Sequence, residues 1–416
     1  MTTAALLRQA AVQELNERST DARNCAPAAA VTRLTLTDFR SYATLRLACD
    51  ARPVVLTGAN GAGKTNLLEA LSFLAPGRGL RAAKVTAVGR APIGQTNGAP
   101  WAVAATLATP DGAVDVATGC DPSKPERRVA RVDGRAAKGV IALGRELGVI
   151  WLTPAMDRLF LDSPGGRRRF LDRLVTAFDP DHAGRTAAYD RATRSRARLL
   201  RDRGHGADPV WCASLEDIMA RYGVALAAAR RDLVNRLNAS LAAHQGPFPV
   251  ARLALLGAVD QWLTDMPAVD VEDALRDALK DERRQTPGDV PAAGPHRSDL
   301  TATMIASGQS SHGQAAALCS TGEQKALLIS ILLAAARLQQ AKRGHAPLLL
   351  LDEVAAHLDP DRRAALFAEI TALGAQAWMT GTDAALFAPF GEAAQFFTVD
   401  HARLTPGSVS SSASLT

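Results

Sequence analysis

Gly58-Ala59-Asn60-Gly61-Ala62-Gly63-Lys64-Thr65 is the stretch of this chain whose residue types can hold a triphosphate. Its glycines permit a tight turn that aims backbone N–H groups inward, and a helix starting where the turn ends adds its partial positive charge. In such a turn Lys64 reaches the β and γ phosphates of ATP, and the Thr65 hydroxyl ligates Mg2+. The candidate nucleotide contacts are therefore Gly58, Asn60, Gly61, Gly63, Lys64, Thr65 and the following Asn66. Far downstream, Leu348-Leu349-Leu350-Leu351-Asp352-Glu353 supplies acids at the end of an apolar run. Asp352 is the candidate second Mg2+ ligand, and Glu353 the base that polarises the attacking water, so Glu353 and Lys64 are the candidate catalytic groups. An apolar strand ending in acids is common on its own; after a phosphate loop it carries chemistry.

Elements must bring these groups together. Pro53 to Thr57 enters the loop as a buried strand and Asn66 to Leu71 leaves it as a helix, the context that turns the pattern into a phosphate site. A parallel strand next to the loop strand is expected to deliver Asp352. A third stretch, Ser320-Thr321-Gly322-Glu323-Gln324, opens a long apolar helix to about Ala341. It resembles the signature of ATP-binding-cassette proteins, in which such a helix end meets a nucleotide held by a second subunit. Ala356-His357-Leu358-Asp359 resembles their D-loop. Ser320, Thr321, Gly322, Gln324 and Asp359 are thus candidate contacts to a nucleotide shared across a homodimer. The alternative for Ser320 is an ordinary helix N-cap with no ligand.

The chain has 416 residues, 48 Lys and Arg against 42 Asp and Glu, and a formal charge of +6, which suits a polyanionic partner without proving one. Five scattered cysteines with no CxxC pair argue against a disulfide framework or zinc ribbon and for a reducing cytosol. No apolar run approaches the roughly 20 residues of a membrane helix. The expected organisation is α/β. In it residues 1–30 are expected to be a disordered extension, 31–163 the first half of an ATPase lobe, 164–290 an inserted helical lobe, 291–404 the second half, and 405–416 a disordered tail. Short alternating segments at Trp101 to Leu107, Ala113 to Ala117 and Arg127 to Val132 predict an antiparallel layer beside a mixed nucleotide sheet. The helices of the inserted lobe read as too short and too interrupted for a coiled-coil arm.

Asp38-Phe39-Arg40-Ser41-Tyr42, the loop continued by Asn66-Leu67-Leu68-Glu69-Ala70, Ser163-Pro164 with Arg167-Arg168-Arg169-Phe170-Leu171-Asp172, Gly294-Pro295-His296-Arg297 and Ser320-Thr321-Gly322 together resemble, in order, the motifs of the bacterial RecF family. The resemblance implies an SMC-like ATPase head without the coiled coil, dimerising on ATP and binding duplex and gapped or single-stranded DNA. It implies slow, DNA-stimulated hydrolysis and work with RecR and RecO to help load RecA at gaps. It also implies roles in replication maintenance and the SOS response, and a place in the cytoplasm at the nucleoid. Arg40 and Tyr42 would then line the nucleotide, though Phe39 and Tyr42 fit a core equally. The chain departs from the family at Ser298, Ala197 and Glu323, where Asp, Asn and Gln are usual. Thr380 and Thr382 stand where transporters keep a switch histidine.

Arg191, Arg194, Arg198 and Arg201 recur at helical spacing on one face, with Arg196 and Arg203 nearby. Such a face can track a phosphate backbone, or simply be solvated. The competing functions are a nucleotide-binding subunit of another cassette machine and an ATP-switched DNA clamp. The long insertion before Ser320 counts against a transporter subunit.

Overall fold

The structure is a computed structural model describing residues 29–91, 98–244, 246–285, 291–305, 313–356 and 358–407. The expectations for 1–28 and 408–416 lie outside these residues. β1 (Ala30–Phe39) and β2 (Tyr42–Ala48) form a hairpin in which buried Leu34 and Leu36 alternate with exposed Arg33 and Thr37. That is the period-two pattern of a half-buried sheet. β3 (Val54–Thr57) runs into the phosphate loop and α1 (Lys64–Ser72) runs out. β4 (Ala102–Thr109), β5 (Gly112–Asp121), β6 (Lys124–Val132) and β7 (Arg135–Ala136) extend the hairpin into an antiparallel sheet ordered β2-β1-β4-β5-β6-β7. The first strand opens at Ala30, inside the stretch read from sequence as an extension.

After α2 (Ile141–Glu146) and β8 (Val149–Leu152) comes a run of helices: α3 (Pro164–Phe178), α4 (Asp181–Arg203) and α5 (Pro209–Ala243). α5 is 35 residues long, roughly 50 Å at 1.5 Å per residue. The expectation of short, interrupted helices is therefore wrong here. Gly223 lies inside α5, and a Cβ at that position would stand 3.1 Å from the Tyr189 ring and 3.3 Å from Leu275. It is a close-packing residue inside a continuous helix, and the helix lies along its neighbours instead of leaving the body as an arm. β9 (Val250–Leu256), α6 (Ala258–Asp265) and α7 (Ala268–Gln285) follow, α6 being a helix the sequence reading did not separate out.

β10 (Asp299–Ile305) and β11 (Gln314–Ala315) join β9 in a small antiparallel sheet. α8 (Thr321–Arg343), β12 (Leu348–Leu351), α9 (Pro360–Ala372), β13 (Ala377–Gly381), β14 (Gln395–Asp400) and β15 (Arg403–Pro406) complete the chain. Thr405 and Pro406, read as tail, pair with Thr398 and Phe397. The nucleotide sheet is ordered β15-β14-β3-β13-β12-β8, parallel except for β15. The acid-bearing strand β12 is thus not beside the loop strand β3, as expected from sequence; β13 lies between them.

Both faces of this sheet are covered, which is why its strands are apolar at every position. Val54, Leu56, Leu348, Leu350 and Trp378 pack with α1 and the antiparallel layer, while Val55, Leu349, Leu351 and Met379 pack with α8 and α9. A third core joins α4, α5 and α7 through Tyr189, Leu200, Met219 and Leu275.

Arginines tie the helices to the rest. Arg167 meets Asp299 through both carboxylate oxygens at 2.7 and 2.8 Å, and Arg168 donates to the Ser298 carbonyl at 2.7 Å. Arg230 clamps Asp172 at 2.7 and 2.8 Å, with His182 2.9 Å from the same carboxylate. Burial alone would raise the Asp172 pKa; His182 and Arg230 override it and hold the carboxyl down at about 2. A folded-state pKa below the unfolded value gives stability that is full above about pH 4 and lost as pH falls toward 2, here about 2–3 kcal/mol. Asp172→Ala strands Arg230 and should cost about 3–5 kcal/mol at pH 7. Urea unfolding from pH 7 to pH 2.5 should show that loss together with a shallower acid limb.

Candidate functional site

The phosphate loop has little room for side chains. Gly58 has φ +143°, and a Cβ there would stand 2.1 Å from the Val399 carbonyl oxygen of β14. Gly63, at φ +116°, faces Tyr42 Oη, which donates to the Gly63 carbonyl at 3.1 Å. Tyr42 is buried, so its ring belongs to the core while its hydroxyl braces the loop. Lys64 curls back on the loop and donates to the carbonyls of Gly58 at 2.6 Å and Ala59 at 2.9 Å. Burial lowers its pKa, and the nearby Glu353 and Asp352 carboxylates oppose that shift.

At the far end of the loop Thr65 Oγ1 donates toward both Asp352 oxygens, at 3.0 and 3.1 Å. Thr380, at the end of the intervening β13, donates to Asp352 Oδ1 at 2.7 Å and accepts from the Glu353 amide at 2.8 Å. Hydroxyl, carboxylate, hydroxyl and amide therefore form a chain from the phosphate loop to the candidate base. Glu353 sits at φ +50°, a backbone that non-glycine residues seldom adopt, and its side chain is exposed. No group of three or more metal-ligating His, Cys, Asp or Glu side chains exists among the described residues. The Thr65 and Asp352 oxygens fit Mg2+, which takes one or two protein ligands and completes its shell with phosphates and water.

Arg40 does not stand free for a nucleotide. Its guanidinium meets Glu69 at 2.7 and 2.9 Å and donates to the Ala87 carbonyl at 2.7 Å. Glu69 is fully buried and also holds Arg81 at 2.9 Å, while Arg81 donates to Asn66 Oδ1 at 2.8 Å. Asn66 in turn donates to Ser41 Oγ, so its side chain is engaged beside the loop; Asn60 and Gly61 are exposed on it. Arg81 and Glu69 were missed as site residues, although Glu69 stands in the quoted Asn-Leu-Leu-Glu-Ala run. Arg81, Thr65 and Asp352 line one cavity of about 820 Å3, together with Trp151, Thr153, Arg169 and Arg173.

At α8, Ser320 caps the helix through a reciprocal box. Glu323 Oε2 accepts from Ser320 N and Oγ, both at 2.8 Å, and Ser320 Oγ accepts from the Glu323 amide at 3.4 Å. Ser320 and Thr321 are exposed and Gly322 half-buried. None of them lines the cavity at Thr65 and Asp352. Gln324 points inward, 3% exposed, and donates to the Cys319 carbonyl at 2.9 Å, away from any ligand at the helix end. Asp359 caps α9 by accepting from the Arg362 amide at 2.8 Å, so its carboxylate is occupied in its own chain; His357 lies outside the described residues. Lys325, one turn into α8 and buried, donates to the carbonyls of Glu353 at 3.3 Å and Ala356 at 2.6 Å.

Arg191, Arg194, Arg198 and Arg201 all lie on the exposed side of α4, and Arg198 stands 3.7 Å from Asp202. Arg196 is not of their face: it is 1% exposed, 2.9 Å from Glu216 and bonded to the Leu279 carbonyl. His296 is a satisfied loop histidine. Its Nε2 donates to the Pro291 carbonyl at 2.9 Å, which leaves Nδ1 to accept from Tyr189 Oη at 2.6 Å. Ser298 is buried and donates to Asp260, so α6 supplies a carboxylate beside the position where the family's usual Asp is missing.

The family model described as the RecF/RecN/SMC N terminal domain matches residues 30–403. The chain is 48% identical over 379 residues to the DNA replication and repair protein RecF of Rhizobium rhizogenes, covering 90% of this chain and 98% of that one. It is 47% identical over 380 residues to the protein of that name from Agrobacterium fabrum, with the same coverage. Among solved structures, the recombination mediator protein RecF with ATPrS in the RecFOR pathway superposes with a TM-score of 0.74 at 18% identity, over 92% of this chain and 99% of that one. An SMC head bound to the C-winged helix domain of ScpA superposes at 0.51 and 16% identity, over 91% and 98%. These two likenesses are of fold.

Proposed function

The chain belongs to the RecF family, and from that premise we propose that it is a DNA repair and recombination ATPase that uses ATP to close two copies over DNA. The observation that carries this reading is the hydrogen-bonded chain Thr65–Asp352–Thr380–Glu353, which joins the phosphate loop to a candidate base. Lys64 leaves the loop carbonyls for the β and γ phosphates, so the ammonium exchanges neutral partners for charged ones. Thr65 and Asp352 would hold Mg2+, which would supply charge neutralisation at the phosphates. Glu353 orients and deprotonates water. The end of α8, with Ser320 and Thr321 exposed, is absent from the cavity lining of its own chain, which supports its use by a second copy.

DNA at single-strand gaps is the polyanion that fits the +6 charge and the exposed arginine face of α4. In this reading RecR and RecO act beside the dimer so that RecA is loaded at the gap, in support of replication and the SOS response. Slow hydrolysis, stimulated by DNA, resets the closed state. The relatives are DNA replication and repair proteins, and RecF solved with ATP is a recombination mediator of the RecFOR pathway, which supports the same class of work. Among the described residues no helix is long and apolar enough to cross a membrane.

Sedimentation velocity tests the shared site. With ATP and Mg2+ the monomer boundary should move to that of a dimer, and with ADP it should not. A boundary that stays monomeric in saturating ATP overturns the two-copy site.

A further inference from the structure

The far end of the helical lobe carries a feature that the nucleotide site does not use. α4 ends at Arg203 and α5 begins at Pro209, so the short turn between them places the C-terminus of one helix beside the N-terminus of the other. There Trp211 is 55% exposed and Val210 77% exposed. Burial of a large aromatic is the ordinary outcome of folding, and Trp101, Trp151 and Trp378 are all buried here. Trp211 is held outward by construction. Asp208 caps the helix, accepting from the amides of Val210 at 2.8 Å and Trp211 at 3.3 Å, and Cys212, the next residue, takes the buried side. Arg283 of α7 reaches the Pro209 carbonyl and braces the tip.

Cations lie near Trp211 in the chain. Arg201 and Arg203 are exposed and pair with no carboxylate of a described residue, and His205 is exposed in the turn. Arginines in a last helical turn suit the helix dipole, but the dipole gives no reason to expose Trp211. An exposed aromatic face at the same tip as guanidinium groups that pair with no described carboxylate matches one polyanion in particular. Single-stranded nucleic acid offers unstacked bases for the indole and phosphates for the arginines, whereas a duplex hides its base faces.

We infer that the α4–α5 tip is a single-strand reader: Trp211 stacks on an unpaired base while Arg201 and Arg203 hold the flanking phosphates. This rests on the proposed function only in taking DNA as the partner, and it adds the discrimination between single and double strands that a gap-seeking protein needs. Of the tryptophans, Trp211 alone is among the exposed large hydrophobic residues, so it reports directly.

The full chain is titrated with oligo(dT) of about 15 nucleotides, within the span a compact single-strand site covers. Tryptophan emission is followed, with a blunt duplex and an acidic peptide as separate probes. Oligo(dT) should quench the emission and shield it from iodide. Trp211→Ala should abolish both signals and weaken oligo(dT) binding about tenfold, Trp211→Phe should restore most of the affinity, and duplex binding should be unchanged by either variant. Circular dichroism should show all three proteins equally helical, as expected for an exposed position. Quenching that survives in Trp211→Ala overturns the inference. So does an equal loss for duplex, or quenching by the acidic peptide but not by oligo(dT). If the wild-type protein still binds duplex in ATP while its emission ignores oligo(dT), the tip assignment alone fails; if it binds no DNA of any kind, the proposed function fails with it.

Discussion

Glu353→Gln should bind ATP with unchanged affinity and lose about 100- to 10,000-fold in turnover, the range expected for deleting a general base. The substitution is nearly isosteric. The hydrogen bond from the Glu353 amide to Thr380 is a backbone contact and survives it. The Glu353 side chain is exposed and makes no hydrogen bond or ion pair with a described residue, so folding should be untouched. Single-turnover hydrolysis and ATP-dependent sedimentation, measured together, should show a dimer that persists as long as ATP is present. A variant that hydrolyses normally would remove Glu353 from the role of base.

Lys64→Ala should abolish the nucleotide response at its source. Truncating one partner of a buried charged contact costs about 2–5 kcal/mol, a loss of roughly 30- to 5,000-fold in ATP affinity. Among the described residues Lys64 bonds to the Gly58 and Ala59 carbonyls alone, which the variant leaves to water, so thermal unfolding should move little. Equilibrium binding of a fluorescent ATP analogue gives the affinity, and DNA binding with and without ATP gives the consequence. Retention of ATP-dependent DNA binding would sink the phosphate assignment.

The parts of this site that are contiguous in the chain were legible from residue types. The phosphate loop, its strand and its helix follow from glycine spacing and an apolar run, and β12 from four leucines before two acids. What was not legible comes from tertiary order. Nothing in the sequence says that β13 inserts between β3 and β12. The role of Thr380, which depends on that insertion, was therefore invisible; it was noticed only as a threonine where transporters keep a histidine. The family resemblance puts Arg40 at the nucleotide, but Glu69, 29 residues away, takes its guanidinium. At Gly223 the sequence shows a missing side chain and not the ring of Tyr189 that fills its place. At Ser320 both readings were open from the start. The capping box is what the chain does with this serine by itself, and the use by a second copy belongs to the proposal.

Lys325 ties the start of α8 to the turn that holds Glu353. In the proposed closed pair each site would be a clasp made from one copy's α8 and the other copy's Glu353 turn. A single buried ammonium joins those two parts within each copy, so a shift of either would be felt at both clasps. Opening would then follow the first nucleotide spent, and the lifetime on DNA would be a matter of one event instead of two.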